Sequence, residues 1–232
     1  MKLLVSGCSI TAGFAFNNEK KNPDLWCNKL STHLNADITN IAQPGLDNTS
    51  IFVNTFNELT KDHYDLAVIQ VSGLTRLNLT PSNHGVRPID PIHNENIADY
   101  YLSDSEWNSF RKNFLMLNGP ILHWDRLVKF LNISQCFNTQ VLFVNGLVSW
   151  SKDFFNQTDS LFHRYLISDS EIPDDEISTM LDYVNETKKE INLNNWLDID
   201  PMMSYKSDTA NDNVHFGSKT HETLFNRIKE KI

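Results

Sequence analysis

The segment Asp65 to Val71 (DLAVIQV) constrains the fold more than any other stretch of this chain. It is nearly continuous in apolar residues, rich in β-branched side chains and too short for a stable isolated helix. Such a run fits a strand covered on both faces, which is the situation of a parallel strand inside a layered α/β domain. Two further runs share this character: Lys2 to Ser6 (KLLVS), ended by Gly7, and Val141 to Val144 (VLFV). Asp37 to Ala42 reads as another strand, stopped by Pro44-Gly45.

Between these runs the apolar period changes from continuous to helical. Leu25, Trp26, Leu30 and Leu34 share a face, and Pro23 suits a first helical turn. Ile51, Phe52, Phe56 and Leu59 make a second face, opened by Asp47 or Asn48 as N-cap. Ile121 to Phe137, Ile177 to Ile191 and His221 to Ile232 predict later helices. Strands alternating with helices predict an α/β domain, with a mostly parallel sheet and helices on both faces. One domain over residues 1–232 accounts for the length, with long insertions at about 77–119 and 149–174. Loops of that length are typically binding loops or lids. Their aromatic residues, such as Trp107, Trp150 and Phe155 with Trp124 nearby, suit either a substrate cleft or an anchor to the core.

Composition narrows the partners. The chain carries 20 lysines and arginines against 29 acidic residues, a net charge of -9. That argues against nucleic acid or an anionic membrane surface as the partner. No run of about 18 apolar residues exists to span a bilayer. Leu3 to Phe16 is largely apolar, but a two-residue n-region is too short for an export signal. Cys8, Cys27 and Cys136 form no paired framework and no zinc spacing, so reduced thiols and a cytoplasmic location are expected. The histidines lack metal-ligand spacing, and neither metal nor other cofactor is expected. Oligomeric state is not legible.

Four segments sit where an open α/β sheet collects its chemistry, past the carboxyl ends of strands or at a helix entrance. They are Gly7-Cys8-Ser9-Ile10-Thr11-Ala12-Gly13, Asn40 to Asn48 (NIAQPGLDN), Ser72-Gly73-Leu74-Thr75-Arg76, and Asp212-Asn213-Val214-His215. A serine hydroxyl needs a base to become a nucleophile, a histidine supplies it, and a carboxylate orients the histidine. The spacing of Asp212 and His215 lets one turn present both side chains to one point. Each residue also has a plain structural reading. Ser9 and Asp212 suit helix caps, Gly45 suits a turn after Pro44, and His215 and His221 suit exposed helix positions.

The four segments together resemble the blocks of the SGNH hydrolase superfamily, which includes the GDSL-like esterases and lipases. GCSITAGF is similar to the nucleophile block, NIAQPGLDN to the block whose glycine donates an oxyanion N–H, and DNVH to the D-x-x-H block near the C-terminus. The resemblance implies a three-layer α/β/α sandwich around a flavodoxin-like five-stranded sheet. It implies Ser9 as nucleophile, His215 as base and Asp212 as its orienting carboxylate. Gly45 would be an oxyanion donor. The third block departs from the family's G-x-N-D, because Thr75 stands at the asparagine position and Arg76 at the aspartate position. Losing one oxyanion donor costs about 10²–10³ in rate, so Thr75, Arg76, Asn48 and Asn78 are all candidates for the replacement. The implied activity is a cofactor-free esterase acting on small acyl esters, including O-acetyl groups on carbohydrates. An acyltransferase on the same scaffold and a catalytically weak carbohydrate-binding module are the alternatives.

Overall fold

The computed structural model describes residues 1–17, 19–73, 77–79, 87–89, 106, 109, 119–146, 173–190, 193–197, 199–200 and 202–232. Four parallel strands form the central sheet: β1 (Lys2–Ser6), β2 (Asp37–Asn40), β3 (Leu66–Val71) and β6 (Gln140–Asn145), in the order β2-β1-β3-β6. Val5 pairs with Asn40 on one side and Val68 on the other, and Val68 in turn pairs with Leu142. Every residue of β3 is buried, as its unbroken apolar run requires. β2 lies at the sheet edge and is more polar and more exposed.

Strand alternation divides the core in two. Leu4, Ala67, Ile69, Val71, Val141 and Phe143 face α3 (Asn48–Leu59), α4 (Gly119–Ile133) and α5 (Asp174–Thr187). Leu3, Val5, Leu66, Val68, Leu142 and Val144 face α2 (Trp26–Leu34) and α6 (Ser218–Lys229). The result is the expected α/β/α sandwich, with helices burying an apolar stripe on each face.

Several expectations are corrected in detail. The sheet has four described strands, not five. In the fifth place stands one parallel bridge, Phe143 with Trp196, closed by the Leu197 N–H donating to the Phe143 carbonyl at 2.9 Å. Pro23 does not open α2, whose N-cap is Leu25. The last helix begins at Ser218, so His221 lies inside it and is 1% exposed rather than on the surface. Within the expected 77–119 insertion, β4 (Leu77–Leu79) and β5 (Arg87–Ile89) pair antiparallel. The 149–174 insertion falls outside the described residues except for Pro173 and Asp174, as do Trp107, Trp150 and Phe155. Trp124 is core: it is fully buried on α4, and its indole N–H donates to Thr187 Oγ1 at 2.8 Å. No described helix is long and apolar enough to cross a membrane.

Candidate active site

Because β1, β2 and β3 run parallel, the first three sequence blocks emerge at one edge of the sheet. After β1 the chain turns at Gly7 and enters the one-turn helix α1 (Ser9–Ala12). Cys8, not Ser9, is the N-cap, so Ser9 is the first helical residue, and its side chain is half-buried between buried Cys8 and Ile10. Gly13 ends α1 in the left-handed region at φ 70°, a conformation glycine adopts freely.

Gln70 on β3 anchors this turn. It is fully buried, and its Oε1 accepts from Thr11 Oγ1 at 2.6 Å and from the Cys8 N–H at 3.3 Å. Its Nε2 donates to Cys8 Sγ at 2.9 Å. A Cβ on Gly7 would lie 2.7 Å from both Cβ and Oε1 of Gln70 and 2.9 Å from Thr11 Oγ1. Gly7 is therefore the residue that lets the turn carrying Ser9 close onto Gln70. Sequence reading missed Gln70, although a lone amide inside an otherwise apolar buried strand is a visible signal.

The second block lies against the first. The Gln43 N–H donates to the Gly7 carbonyl at 3.2 Å, and the Ile41 N–H to the Val5 carbonyl at 2.9 Å. Gly45 follows in a turn at φ 81°. Asp47 caps α3 as expected, with Oδ1 accepting from the Ser50 N–H at 2.7 Å. Asn48 has a different task from the one proposed for it. Its Oδ1 accepts from the Ser72 N–H at 2.7 Å, and its Nδ2 donates to the Ser72 and Gly73 carbonyls at 3.1 and 3.3 Å. The amide clamps the end of β3 and has its donors committed there. Thr75 and Arg76 lie outside the described residues. Asn78 is on β4.

The fourth block forms a tight turn. Asn213 sits at φ 59°, a left-handed position that asparagine tolerates. Asp212 Oδ1 accepts from the Val214 and His215 N–H groups at 3.0 and 2.9 Å. Its Oδ2 meets His215 Nδ1 at 2.5 Å. These bonds, the His215 N–H foremost and then its ring, hold the Asp212 carboxyl well below the usual carboxylate range. A charged acceptor at Nδ1 fixes the tautomer that leaves Nε2 as the proton-accepting nitrogen.

The residues just before it fasten this turn to the start of α6. Thr209 bridges Phe216, and the Ala210 N–H donates to the His215 carbonyl at 2.9 Å. Asp208 caps α6 from outside it, accepting from the Lys219 and Thr220 N–H groups at 2.9 and 2.8 Å. Burial opposes the Asp208 charge, yet the Thr220 hydroxyl and these N–H groups draw its carboxyl below the ordinary value. A Cβ on Gly217 would strike that carboxylate at 2.4–2.5 Å.

The blocks of the two chain ends meet through Phe14. Its ring packs edgewise on the His215 ring, with centroids 4.9 Å apart at 64°. Its N–H donates to the Ser9 carbonyl at 3.1 Å. His215 is thus held by Asp212 on one side and by the segment that carries Ser9 on the other. No direct hydrogen bond joins Ser9 to His215 among the described residues.

No protein-family model matches the sequence, and no curated protein matches it. Solved structures do. The chain is similar to the psychrotrophic esterase EstA from Pseudoalteromonas sp., in a structure inhibited by monoethylphosphonate, with TM-score 0.50 and 10% identity over 99% of this chain and 95% of that one. It is also similar to an acetyl xylan esterase from Geobacillus stearothermophilus, with TM-score 0.49 and 10% identity over 99% and 93% of the two chains. TesA matches with TM-score 0.48 and 12% identity over 100% and 97%. At such identity the EstA likeness speaks to the fold alone. The chain therefore shares the α/β/α fold of that esterase.

Proposed function

We propose that this protein is a serine esterase, or acyl hydrolase, that cleaves small acyl esters, including O-acetyl groups on carbohydrates. The observation that carries the reading is the Asp212–His215 bond, at 2.5 Å, on a turn whose histidine packs against the segment following Ser9. Helix capping alone does not explain that bond, since Asp208 and Gly217, not Asp212, serve the start of α6.

In the reaction, Ser9 Oγ attacks the ester carbonyl carbon while His215 Nε2 takes the hydroxyl proton. Asp212 keeps the ring oriented and stabilises the imidazolium. The carbonyl oxygen becomes an oxyanion, received by the backbone N–H groups of Ser9 and Gly45. The Ser9 N–H belongs to the first turn of a helix, where amide hydrogens point outward without intrahelical acceptors. With Asn48 committed to the end of β3, Thr75, Arg76 and Asn78 remain the candidates for a third donor. Collapse of the intermediate breaks the ester C–O bond, and His215 returns the proton to the leaving alcohol. Water, deprotonated by His215, then attacks the acyl-Ser9 ester and releases the acid. No metal or organic cofactor takes part in these steps.

Replacing Ser9 by alanine should abolish p-nitrophenyl acetate hydrolysis while leaving the thermal unfolding temperature within a few degrees. Undiminished turnover by a folded Ser9→Ala variant would remove Ser9 from the mechanism.

A further inference from the structure

A groove of about 500 Å³ lies between the 3-10 turn Glu19–Lys21, α2 and the edge strand β2, and shares Asn40 with the second block. Its lining includes Lys20, Lys21, Asn28, Ser31, Ile38 and Asn40. That volume is within the range of small-molecule sites.

The groove sets two adjacent lysines against a chain of net charge -9. In a protein with net charge -9, Lys2, Lys29, Lys61, Lys129, Lys189 and Arg227 each have a carboxylate partner. Neither Lys20 nor Lys21 makes an ion pair or a side-chain hydrogen bond among the described residues, although Lys20 is half-buried. Burial lowers the Lys20 pKa, only partly offset by neighbouring Glu19. An anion set against a partly buried ammonium gains a charge-assisted contact there.

The mount is firm. Asn28 Nδ2 donates to the Lys20 and Asn22 carbonyls at 2.9 and 2.6 Å, pinning the lysine turn to α2. Asn40 is fixed in turn, its Nδ2 donating to the Thr11 carbonyl and its Oδ1 accepting from the Ala42 N–H, both at 3.0 Å. Ser31 Oγ donates to the Ala36 carbonyl at 2.7 Å. The hydroxyl and the Asn28 amide have thus given their hydrogens to the backbone, and what they offer the groove is acceptor oxygen. Ammonium donors, acceptor oxygens and the apolar Ile38 together complement a molecule with an oxyanion, hydroxyl hydrogens and a carbon frame.

We infer that this groove binds a hydroxylated organic anion, a sugar phosphate or a sugar acid, through Lys20 and Lys21. The site does not depend on the esterase reading, and its test is a binding measurement on the full chain. Calorimetric titration at neutral pH and low salt would use glucose 6-phosphate, glucuronate, inorganic phosphate and glucose. Binding of either sugar anion supports the site and identifies which oxyanion it prefers, while glucose should give no heat. Losing two charge-assisted contacts should raise Kd at least about tenfold in Lys20→Gln/Lys21→Gln. The single exposed change Lys21→Gln should raise it by about threefold or more. Lys189→Gln, on a lysine paired elsewhere with Glu186, should leave it unchanged. The inference is overturned if neither sugar anion binds up to about 10 mM. Inorganic phosphate binding alone would overturn it too, as would an equal loss of affinity in Lys189→Gln.

Discussion

Replacing Gln70 by leucine tests how the turn carrying Ser9 is held. Leucine keeps most of the volume in a site with no solvent exposure, so cavity formation is minor. What it removes is the Oε1 acceptor of two donors, the Thr11 hydroxyl at 2.6 Å and the Cys8 N–H at 3.3 Å. Each buried donor left unsatisfied costs about 1–3 kcal/mol. Allowing for relaxation of the rotatable Thr11 hydroxyl, the sum is about 3 kcal/mol. For a domain of this size that is a fall in Tm of about 6–12 °C. Because Ser9 follows Cys8 directly, a shift of the turn also misplaces the oxygen that reacts in the proposed mechanism, and such misplacement costs about 10²-fold in rate. Scanning calorimetry and p-nitrophenyl acetate turnover would read both effects. A Gln70→Leu protein with wild-type Tm and wild-type kcat would refute the role given to this amide.

Gly7→Ala should be destabilising by about 1–3 kcal/mol, since its Cβ meets Gln70 and Thr11 within 2.9 Å and the strand-borne Gln70 Cβ cannot swing away; urea unfolding measures it. His221 predicts a pH dependence. It is buried, its Nδ1 accepts the Trp26 N–H at 3.3 Å, and burial pushes its pKa down to about 4, below the unfolded value near 6.5. Between those values the unfolded chain binds the proton and the folded chain does not. Stability should therefore be lost on acidification from about pH 6.5 to 4, by roughly 3 kcal/mol, and no further through this group below that. In His221→Gln that portion of the pH dependence should vanish. Asp212→Asn should lower kcat by about 10³–10⁴ with little change in KM, because the ring loses the partner that fixes its tautomer; steady-state kinetics would show it.

The layered architecture was legible because its signals are local. β3 announced itself by an unbroken apolar run, and α3 by a 3.6-residue stripe behind a capping aspartate that does cap. The D-x-x-H spacing was legible for the same reason, since both partners belong to one turn. What sequence could not show is what depends on contacts far along the chain. Gln70 meets Cys8 across 62 residues, and its importance follows from two strands being neighbours. Asp208 caps α6 from ten residues upstream, so the helix start at Gly217-Ser218 carried no local side-chain cap and was placed three residues late. His221 looked exposed because the later start was assumed, whereas the true register turns it inward against Phe16 and Phe216. Asn48 looked like a free donor because the strand end that consumes its amide is 24 residues away.

The account rests on a hydroxyl made nucleophilic by a histidine from the opposite end of the chain. A fluorophosphonate probe followed by peptide mass spectrometry measures that directly. The account predicts a single phosphonylated residue, Ser9, and labelling slowed by about 10³ or more in a folded His215→Ala variant. Absence of label at Ser9 in the native chain, or labelling there at an unchanged rate without His215, would contradict it.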